Sequence, residues 1–286
     1  MSAAKVAAKR LVVCGGNGFL GSRICKYGVT RGWDVTSIRH VIFKFSRHTG
    51  AGEPHWASVG PTASPPPWAH QVSWERADIF QPEAWAPLVK DADYVVHSMG
   101  ILLEADYKGA ISGRENPVQG LKKAFAAKPP SDPRQLTYEM MNRDSAVMLA
   151  REASKANVGA FAYISAAGNA PVLPARYLST KREAESTIAS EFPRMRSVFI
   201  RAPFLYDTSR LFTVPMAALT GLGTLFNRTT GGVFGSFLGA AAIKPLKAED
   251  VAAAVIEALS EESVRGPIEV PEIEELANKG WRKGML

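Results

Sequence analysis

The sequence has too few cysteines, histidines and long apolar runs for several classes of protein. Cysteine occurs only twice, as Cys14 in an apolar strand-like run and Cys25 in a predicted helix, which excludes a disulfide framework. The five histidines show no ligand spacing with acids or cysteines, so we expect no metal site. No run reaches the roughly 20 apolar residues that cross a bilayer. The nearest, residues 212–226, predicts either a buried helix of a substrate lobe or a surface that meets a membrane or an apolar substrate.

Acidic residues are missing from the N-terminal region. Residues 1–33 carry six lysines and arginines and no acid, whereas the whole chain has 34 basic and 27 acidic residues, a net charge of +7. The basic residues form no continuous stripe, so the charge favours anionic ligands or a membrane surface and gives no reason to expect nucleic acid. Residues 1–9 are interpreted as a flexible basic tail, either a short targeting sequence or plain disorder.

Short apolar strands alternate with helical stretches along most of the chain. The predicted strands are 10–14, 33–38, 71–77, 94–98, 160–165 and 197–201. The predicted helices are a first one ending near Thr30, then 82–89, 138–156, 177–191 and 248–259. This alternation predicts an α/β fold with a Rossmann-type, doubly wound parallel sheet.

Two proline- and glycine-rich stretches interrupt this rhythm, at 39–70 and 104–136. Loops of this length in a compact domain are usually functional or disordered. We therefore divide the chain into a nucleotide-binding domain, 10–203, that carries both loops, and a small substrate- or membrane-facing lobe, 204–286.

A glycine cluster follows the first predicted strand and opens the first helix. Its spacing is Gly15-x-x-Gly18-x-x-Gly21, with Asn17, Phe19 and Leu20 between the glycines. Gly15 permits a tight turn, Gly18 lets the backbone approach a pyrophosphate, and Gly21 allows the helix to pack closely on the strand. The cluster predicts a dinucleotide-binding turn, the alternative being a glycine-rich turn that holds no ligand.

The end of the second strand bears on which dinucleotide is bound. An acid there suits the ribose of NAD, whereas arginine suits the 2′-phosphate of NADP. Arg39 and Arg47 follow the strand, and no acid lies between Asp34 and Glu53. This favours NADP(H) over NAD(H). Whether residues 39–47 continue the strand or form an insertion stays open.

The strongest catalytic pattern is Tyr177, Lys181 and Ser165. Tyr177 and Lys181 lie four residues apart, on one face of a predicted helix. A cation beside Tyr177 would lower the pKa of its phenol, which could then exchange a proton with a substrate carbonyl or alcohol. The same ammonium could hold the nicotinamide ribose. Ser165, at the end of the fifth strand, could hydrogen-bond the substrate oxygen.

Together these pieces resemble the extended or atypical branch of the short-chain dehydrogenase/reductase superfamily, whose members include NAD-dependent epimerases and dehydratases. The matching segments are 15–21, 77–79, 95–100, 142–150, 163–165 and 177–181. The resemblance implies that Asp78, with Ile79 beside it, contacts adenine. It also implies that Ser98, Met99 and Gly100 line the cofactor and that Asn142 begins the central helix. The family's Arg-Pro and Val-Tyr-Gly landmark appears here as 201–207, without the glycine after Tyr206.

Three longer peptides, 97–104, 137–142 and 181–185, are similar to a fungal mitochondrial member of this superfamily associated with the coenzyme Q biosynthetic complex. That similarity implies a peripheral protein on the matrix side of the inner mitochondrial membrane, with proteins of that complex as partners. The same branch includes an accessory subunit of respiratory complex I that binds a nicotinamide nucleotide without evident catalysis.

Three functions follow as hypotheses. The first is an NADP-dependent oxidoreductase for a hydrophobic, quinone-type intermediate of ubiquinone synthesis, with Tyr177 as acid/base, Lys181 as activator and ribose clamp, and Ser165 orienting the carbonyl. The second is a non-catalytic, nucleotide-binding assembly subunit whose long loops engage partner proteins. The third is a nucleotide-sugar epimerase, which fits poorly with the apolar segment 212–226.

Overall fold

A computed structural model describes residues 7–41, 52–60, 62–101, 136–168, 175–207 and 244–284. Arg47, residues 104–135 of the second predicted loop and the apolar segment 212–226 lie outside the described residues. Among the helices of the described ranges, none is long and apolar enough to cross a membrane.

Seven of the described strands form one parallel sheet, in the order β3-β2-β1-β4-β5-β6-β9. These strands are β1 (Arg10–Cys14), β2 (Asp34–His40), β3 (Val72–Ala77), β4 (Tyr94–His97), β5 (Ala160–Ala166), β6 (Arg196–Ala202) and β9 (Gly266–Ile268). Two short strands, β7 (Leu205–Tyr206) and β8 (Leu246–Lys247), form a separate parallel pair. The predicted Rossmann-type sheet is confirmed, since its order reverses beside β1 as in doubly wound folds.

Helices connect successive strands of the sheet, and the last helix follows β9. They are α1 (Phe19–Thr30), α2 (Trp56–Val59), α3 (Ala86–Val89), α4 (Ser145–Lys155), α5 (Ala175–Glu191), α6 (Ala248–Ser260) and α7 (Val270–Gly284). Short 3-10 helices cover Ala69–Gln71 and Pro82–Ala84, and a π-helical segment, Glu139–Asp144, leads into α4. The single helix predicted over 138–156 is therefore a π-helical turn continued by an α-helix.

The central strands β1, β4 and β5 are buried on both faces of the sheet, which explains why they are mostly apolar. Leu11 and Val13 of β1 belong to the core on the side of α1, α6 and α7. Val12 and Cys14 alternate onto the other face, where the core also includes residues of α3, α4 and α5. The fold thus has three layers, and the carboxyl ends of its parallel strands meet along one edge.

The described C-terminal residues complete this unit rather than forming a lobe apart from it. Strand β9 pairs with β6, and helix α6 packs against α1. Because α6 is buried along nearly its whole length, it can be stable only inside the core. Its Glu257 is fully buried and accepts hydrogen bonds from Arg31, which follows α1, and from Lys283 of α7. The predicted boundary at 203 therefore does not separate residues 244–284 from the sheet.

The first predicted loop, 39–70, contains packed structure in its described part. The rings of Trp56 and Trp68 meet edge to face, as do those of Trp56 and Trp74 of β3, each pair with centroids 5.7 Å apart. The N–H of Gly52 donates to the carbonyl of Trp74 at 3.2 Å, so this segment covers the outer edge of β3. At the other end of the sheet, β9 contains Pro267, which has no N–H to donate.

Candidate functional site

The glycine turn has the geometry that its spacing predicts. Gly15 has a φ of +89°, in the left-handed region that favours glycine. Its N–H donates to the carbonyl of Ile38 in β2 at 2.8 Å, and its own carbonyl accepts from Gly18 N–H at 2.9 Å. A Cβ on Gly21 would lie 2.1 Å from the Gly15 carbonyl oxygen, so only glycine lets α1 pack this closely on the turn.

Helix α1 presents its N-terminus to this turn. Gly18 is the N-cap and has no side chain with which to cap the helix, and the first turn contains no acid. The first N–H groups of a helix have no partner within it, and they carry the positive end of its dipole. The turn therefore suits an anion such as a pyrophosphate.

Two further glycines belong to the site. A Cβ on Gly16 would lie 2.4 Å from Ser37 Oγ and 2.8 Å from Cys25 Sγ, a constraint that we did not predict, although Gly16 adjoins the motif. A Cβ on Gly100 would lie 2.8 Å from the amide oxygen of Asn142 and 3.6 Å from Lys181 Nζ. The chain after β4 therefore approaches the catalytic candidates as closely as glycine allows.

The end of β4 lies against the glycine turn. Ser98 N–H donates to the carbonyl of Cys14 at 2.8 Å, and the thiol of Cys14 contacts Met99 Sδ at 3.1 Å. The Ser98 hydroxyl is buried without a hydrogen-bond partner. A buried polar atom normally has one, so this orphaned hydroxyl beside the turn fits a site that a polar cofactor completes.

Arg39 lies level with the glycine turn, because Ile38 pairs with Cys14 in the β1–β2 register. Its guanidinium donates to the carbonyl of Glu53 at 3.4 Å. On β3, Arg76 is the register partner of Arg39, and both are half-buried. Two guanidinium groups on neighbouring strands at this end of the sheet are residues of the type that binds an anion such as a phosphate. We did not predict a role for Arg76, because it is remote from Arg39 in the sequence. Its position two residues before Asp78, a predicted cofactor contact, is the pattern that could have indicated it.

Asp78 and Ile79 follow β3 beside the end of β2. Ile79 N–H donates to His40 Nδ1 at 3.1 Å, and Asp78 accepts from Phe80 N–H at 3.0 Å. Burial lowers the pKa of His40, with the nearby Asp78 charge opposing the shift. His40 is therefore a neutral support for this loop.

Lys181 of α5 lies between two tyrosine rings. Its ammonium is 5.0 Å from the ring centroid of Tyr163 and 5.6 Å from that of Tyr177, and it donates to the carbonyl of Ile164 at 2.8 Å. Burial lowers the pKa of Lys181 to about 7, while the charge of Glu185 acts in the opposite direction. The helical spacing of Tyr177 and Lys181 thus brings the two side chains together, as the sequence predicts.

The expected effect on the phenol is not observed. Burial raises the pKa of Tyr177 above its ordinary value, and the nearby Tyr138 adds to the shift. The physical reason is that the phenol is buried, while the Lys181 ammonium donates its hydrogen bond to the Ile164 carbonyl rather than to the phenol. The expectation that Lys181 lowers the pKa of Tyr177 is therefore wrong for the protein alone.

Ser165 is engaged elsewhere. Its hydroxyl donates to Glu185 Oε1 at 2.5 Å and accepts from Arg182 at 3.0 Å. A serine hydroxyl has a single hydrogen to donate, so in this arrangement it cannot also donate to a substrate carbonyl. The structure therefore places Ser165 in a charged network rather than in the predicted orienting role.

The π-helical segment is hydrogen-bonded to the chain after β4 and to Tyr163 of β5. The side-chain amide of Asn142 accepts from Ile101 N–H at 2.9 Å and donates to the Ile101 carbonyl at 3.1 Å, and its backbone carbonyl accepts from the Tyr163 hydroxyl. His97 Nε2 lies 2.9 Å from Ser145 Oγ. Burial, together with the Lys181 charge, lowers the pKa of His97 to about 3, so the ring is neutral. Segments of π-helix are frequent at functional sites.

Arg23 is a further residue that the sequence analysis missed. It is buried in α1, and its guanidinium stacks over the Phe19 ring at 4.4 Å and forms an ion pair with Asp207. Asp207 occupies the position at which the family landmark has glycine. This ion pair connects the first turns of α1 with the chain after β7.

In the described ranges, no group of three His, Cys, Asp or Glu residues could hold a metal ion.

Comparisons with known proteins agree with this geometry. Residues 11–107 match the model of the NAD dependent epimerase/dehydratase family. The chain is 38% identical over 221 residues to MIOREX complex component 2 of Saccharomyces cerevisiae, covering 70% of this chain and 74% of that protein. It is 25% identical to an uncharacterized chloroplastic protein of Arabidopsis thaliana, covering 96% of this chain and 80% of that protein.

Solved structures share the fold at low identity. A UDP-glucuronic acid 4-epimerase of Bacillus cereus in complex with NAD has a TM-score of 0.54 at 15% identity, over 91% of this chain and 76% of that chain. A short-chain dehydrogenase/reductase family protein has the same TM-score at 18% identity, over 93% and 97% of the two chains. With the glycine turn and the Tyr177–Lys181 pair in place, the chain belongs to the NAD-dependent epimerase/dehydratase family of extended short-chain dehydrogenases/reductases.

Proposed function

We propose that the protein is an NADP(H)-dependent oxidoreductase that acts on a hydrophobic, quinone-type intermediate. The observation that carries this proposal is the position of the Lys181 ammonium. It lies beside the Tyr177 ring and 3.6 Å from the place where a side chain at Gly100 would begin. The catalytic candidates and the loop that would line the cofactor therefore meet at one edge of the sheet, next to the glycine turn.

The chain's own groups have separate tasks in this reaction. A bound nicotinamide supplies or accepts the hydride. The backbone of the Gly15–Gly21 turn holds the pyrophosphate, and Lys181 exchanges the Ile164 carbonyl for ribose hydroxyls. The Tyr177 phenol is protonated near neutral pH and can give its proton to a substrate oxygen, and because its pKa is raised this donation needs the charge of the Lys181 ammonium beside it. Ser165 orients that oxygen only if its hydroxyl leaves Glu185.

The preference for NADP(H) rests on Arg39 and Arg76. The two arginines are register partners on β2 and β3, level with the glycine turn. Guanidinium groups bind phosphate through paired hydrogen bonds, so these two side chains could hold the 2′-phosphate of NADP(H). Arg47, also predicted to contribute, stays a proposal because it lies outside the described residues.

The quinone-type substrate and the cellular place are proposed from resemblance. The peptides 97–104, 137–142 and 181–185 are similar to a fungal mitochondrial protein associated with the coenzyme Q biosynthetic complex. A relative covered over 74% of its length is named as a component of the MIOREX complex. These likenesses support a peripheral position on the matrix side of the inner mitochondrial membrane, a role in ubiquinone synthesis and protein partners there.

Replacing Tyr177 by Phe tests the catalytic role. We expect turnover of NADPH with quinone intermediates from a lipid extract to fall by about 10²-fold or more, because a positioned proton donor contributes that much. Affinity for NADPH, measured by fluorescence titration, should stay within about twofold, since the aromatic ring remains and only the hydroxyl is lost. Tyr94→Phe, which removes a phenol hydroxyl from the far end of β4, is the matched control and should retain turnover. Full turnover by Tyr177→Phe would contradict the mechanism.

The second candidate function is a nucleotide-binding assembly subunit. The engagement of the Ser165 hydroxyl by Glu185 favours it, because that bond withdraws the hydroxyl from a substrate. Expression of the double variant Tyr177→Phe/Lys181→Ala in cells that lack the protein separates the two functions. Restored quinone synthesis would support the assembly role, whereas continued deficiency with normal protein levels supports catalysis.

A further inference from the structure

His40 ends strand β2 at the edge of the sheet where the glycine turn lies. Its register partner on β3 is Ala77, which directly precedes Asp78 and Ile79. Its ring meets the Phe80 ring edge to face, with centroids 5.7 Å apart, and its side chain is only 9% exposed. In Rossmann folds the end of the second strand is the place that contacts the adenosine ribose of a dinucleotide.

The hydrogen bonds of His40 determine which ring nitrogen carries a proton. The Ile79 N–H donates to Nδ1 at 3.1 Å, so Nδ1 presents a lone pair and the ring is neutral. The Asp78 carboxylate is 3.6 Å from Nδ1, beyond hydrogen-bond distance. Burial lowers the pKa of His40, in agreement with a neutral ring. The single ring proton is therefore on Nε2, which makes this nitrogen a donor.

That donor has no acceptor within the part of the chain that the structure describes. His40 Nε2 is buried and without a hydrogen-bond partner, and so is the Ser98 hydroxyl at the end of β4. Buried polar atoms normally have partners, so an orphaned one indicates a missing group. Strands β2 and β4 flank β1, which continues into the glycine turn. The two orphaned atoms thus fit a polar ligand that lies across the ends of these three strands.

His40 and its neighbour Arg39 lie on opposite faces of the sheet. Side chains alternate along β2, so His40 shares its face with Ile38. Ile38 belongs to the core that also contains Ile79 and Met99, which follow β3 and β4. An uncharged donor on one face and a guanidinium on the other suit a nucleoside that carries a phosphate.

We propose that His40 is a further cofactor-binding residue, whose uncharged Nε2–H donates a hydrogen bond to the adenosine half of NADP(H). This inference rests on the proposed use of a nicotinamide dinucleotide. The adenine and ribose of that half carry uncharged nitrogen and oxygen acceptors, which a neutral donor can satisfy. NADPH and NADH share the adenosine, so His40 strengthens the binding of both, whereas Arg39 distinguishes between them.

Two substitutions separate this contact from support of the loop after β3. The amide oxygen of asparagine takes about the place of Nδ1, so His40→Asn keeps an acceptor for the Ile79 N–H and loses the donor. The amide nitrogen of glutamine reaches about the place of Nε2, so His40→Gln keeps the donor.

Dissociation constants of the full chain for NADPH and NADH are measured by fluorescence titration near neutral pH. His40→Asn should weaken the binding of both nucleotides by about three- to tenfold, the contribution of one hydrogen bond between uncharged groups. His40→Gln should stay within about twofold of the unmodified protein. His70→Asn, the same change at an exposed histidine before β3, is the matched control and should leave both constants unchanged.

A measurement on the unmodified protein does not depend on how a variant folds. NMR spectra of the histidine ring nitrogens, with the His40 signals identified by their loss in His40→Gln, report the position of the ring proton. We expect a proton on Nε2, and a change in the Nε2–H signal when NADPH or NADH is added. An Nε2–H signal that stays unmoved at saturating NADPH would overturn the proposal.

Two results of the titrations would also overturn it. One is unchanged affinity of folded His40→Asn for both nucleotides, and the other is a loss for NADPH alone, which would assign the contact to the 2′-phosphate. Absence of NADPH and NADH binding by the unmodified protein would instead refute the proposed function, and this inference with it.

Discussion

At the scale of single residues, Arg39 is expected to decide between the two nicotinamide cofactors. Arg39→Ala should weaken NADPH binding about tenfold or more, because a charge-assisted bond to phosphate contributes about 1.5–3 kcal/mol. Affinity for NADH, which lacks the 2′-phosphate, should change by no more than about twofold. Both constants come from fluorescence titration at one ionic strength, with Arg194→Ala, an exposed arginine beyond α5, as the control. Equal losses of affinity for NADPH and NADH would refute the preference for NADP(H).

At the scale of elements, helix α1 and the glycine turn form one packed unit. Gly21→Ala would place a Cβ 2.1 Å from the Gly15 carbonyl oxygen, so the helix must shift away from the turn. We expect the free energy of unfolding to fall by about 1–3 kcal/mol, as for other overpacked sites, and NADPH affinity to fall with it. Urea denaturation followed by tryptophan fluorescence measures the first effect.

Gly60→Ala serves as the control for Gly21→Ala. Its Cβ would meet no atom closer than 3.5 Å, and the backbone at Gly60 has a φ of −141°, which any residue adopts. The urea midpoint of this variant should equal that of the unmodified protein. If the two alanine variants lose stability equally, close packing of α1 on the turn is not what requires Gly21.

At the scale of the whole molecule, Glu257 joins three helices through Arg31 and Lys283 and should govern acid stability. Although burial favours the neutral acid, hydrogen bonds from Lys283 and Arg31 lower its pKa to about 2. A lowered pKa in the folded state stabilises the protein above about pH 4.5, the range in which an unfolded glutamate is ionised, and this contribution is lost as pH falls toward 2.

The free energy of unfolding of Glu257→Gln should therefore be about 2–3 kcal/mol lower at pH 7, because Arg31 and Lys283 lose their hydrogen bonds to the buried carboxylate, and it should depend less on pH between about 4.5 and 2. Urea unfolding at several pH values measures both effects. Glu191 is exposed and pairs with Arg151 at 3.4 Å, so Glu191→Gln should change the free energy of unfolding little at pH 7. An acid dependence that is as steep in Glu257→Gln as in the unmodified protein would show that other carboxylates dominate.

The sequence allows prediction of those features whose residues lie close together along the chain. The glycine turn and the Tyr177–Lys181 pair are local patterns on one element, and alternating apolar strands indicate a parallel sheet. The hydrogen bonds from Ser165 and Arg201 to Glu185 could not be predicted, because these residues meet only after β5, α5 and β6 pack. The pKa of Tyr177 differed from expectation because it depends on burial. Strand β9 was missed because Gly266-Pro267-Ile268 resembles a turn.

The two outer strands of the sheet affect the tendency of the protein to aggregate at high concentration. An exposed strand edge can pair with another chain and start aggregation. Here the segment that begins at Gly52 and contains Trp56 lies along β3, and Pro267 of the short strand β9 has no N–H to donate. In the part of the chain that the structure describes, both edges are thus protected against amyloid-like association, which favours a protein that stays dispersed at high local concentration.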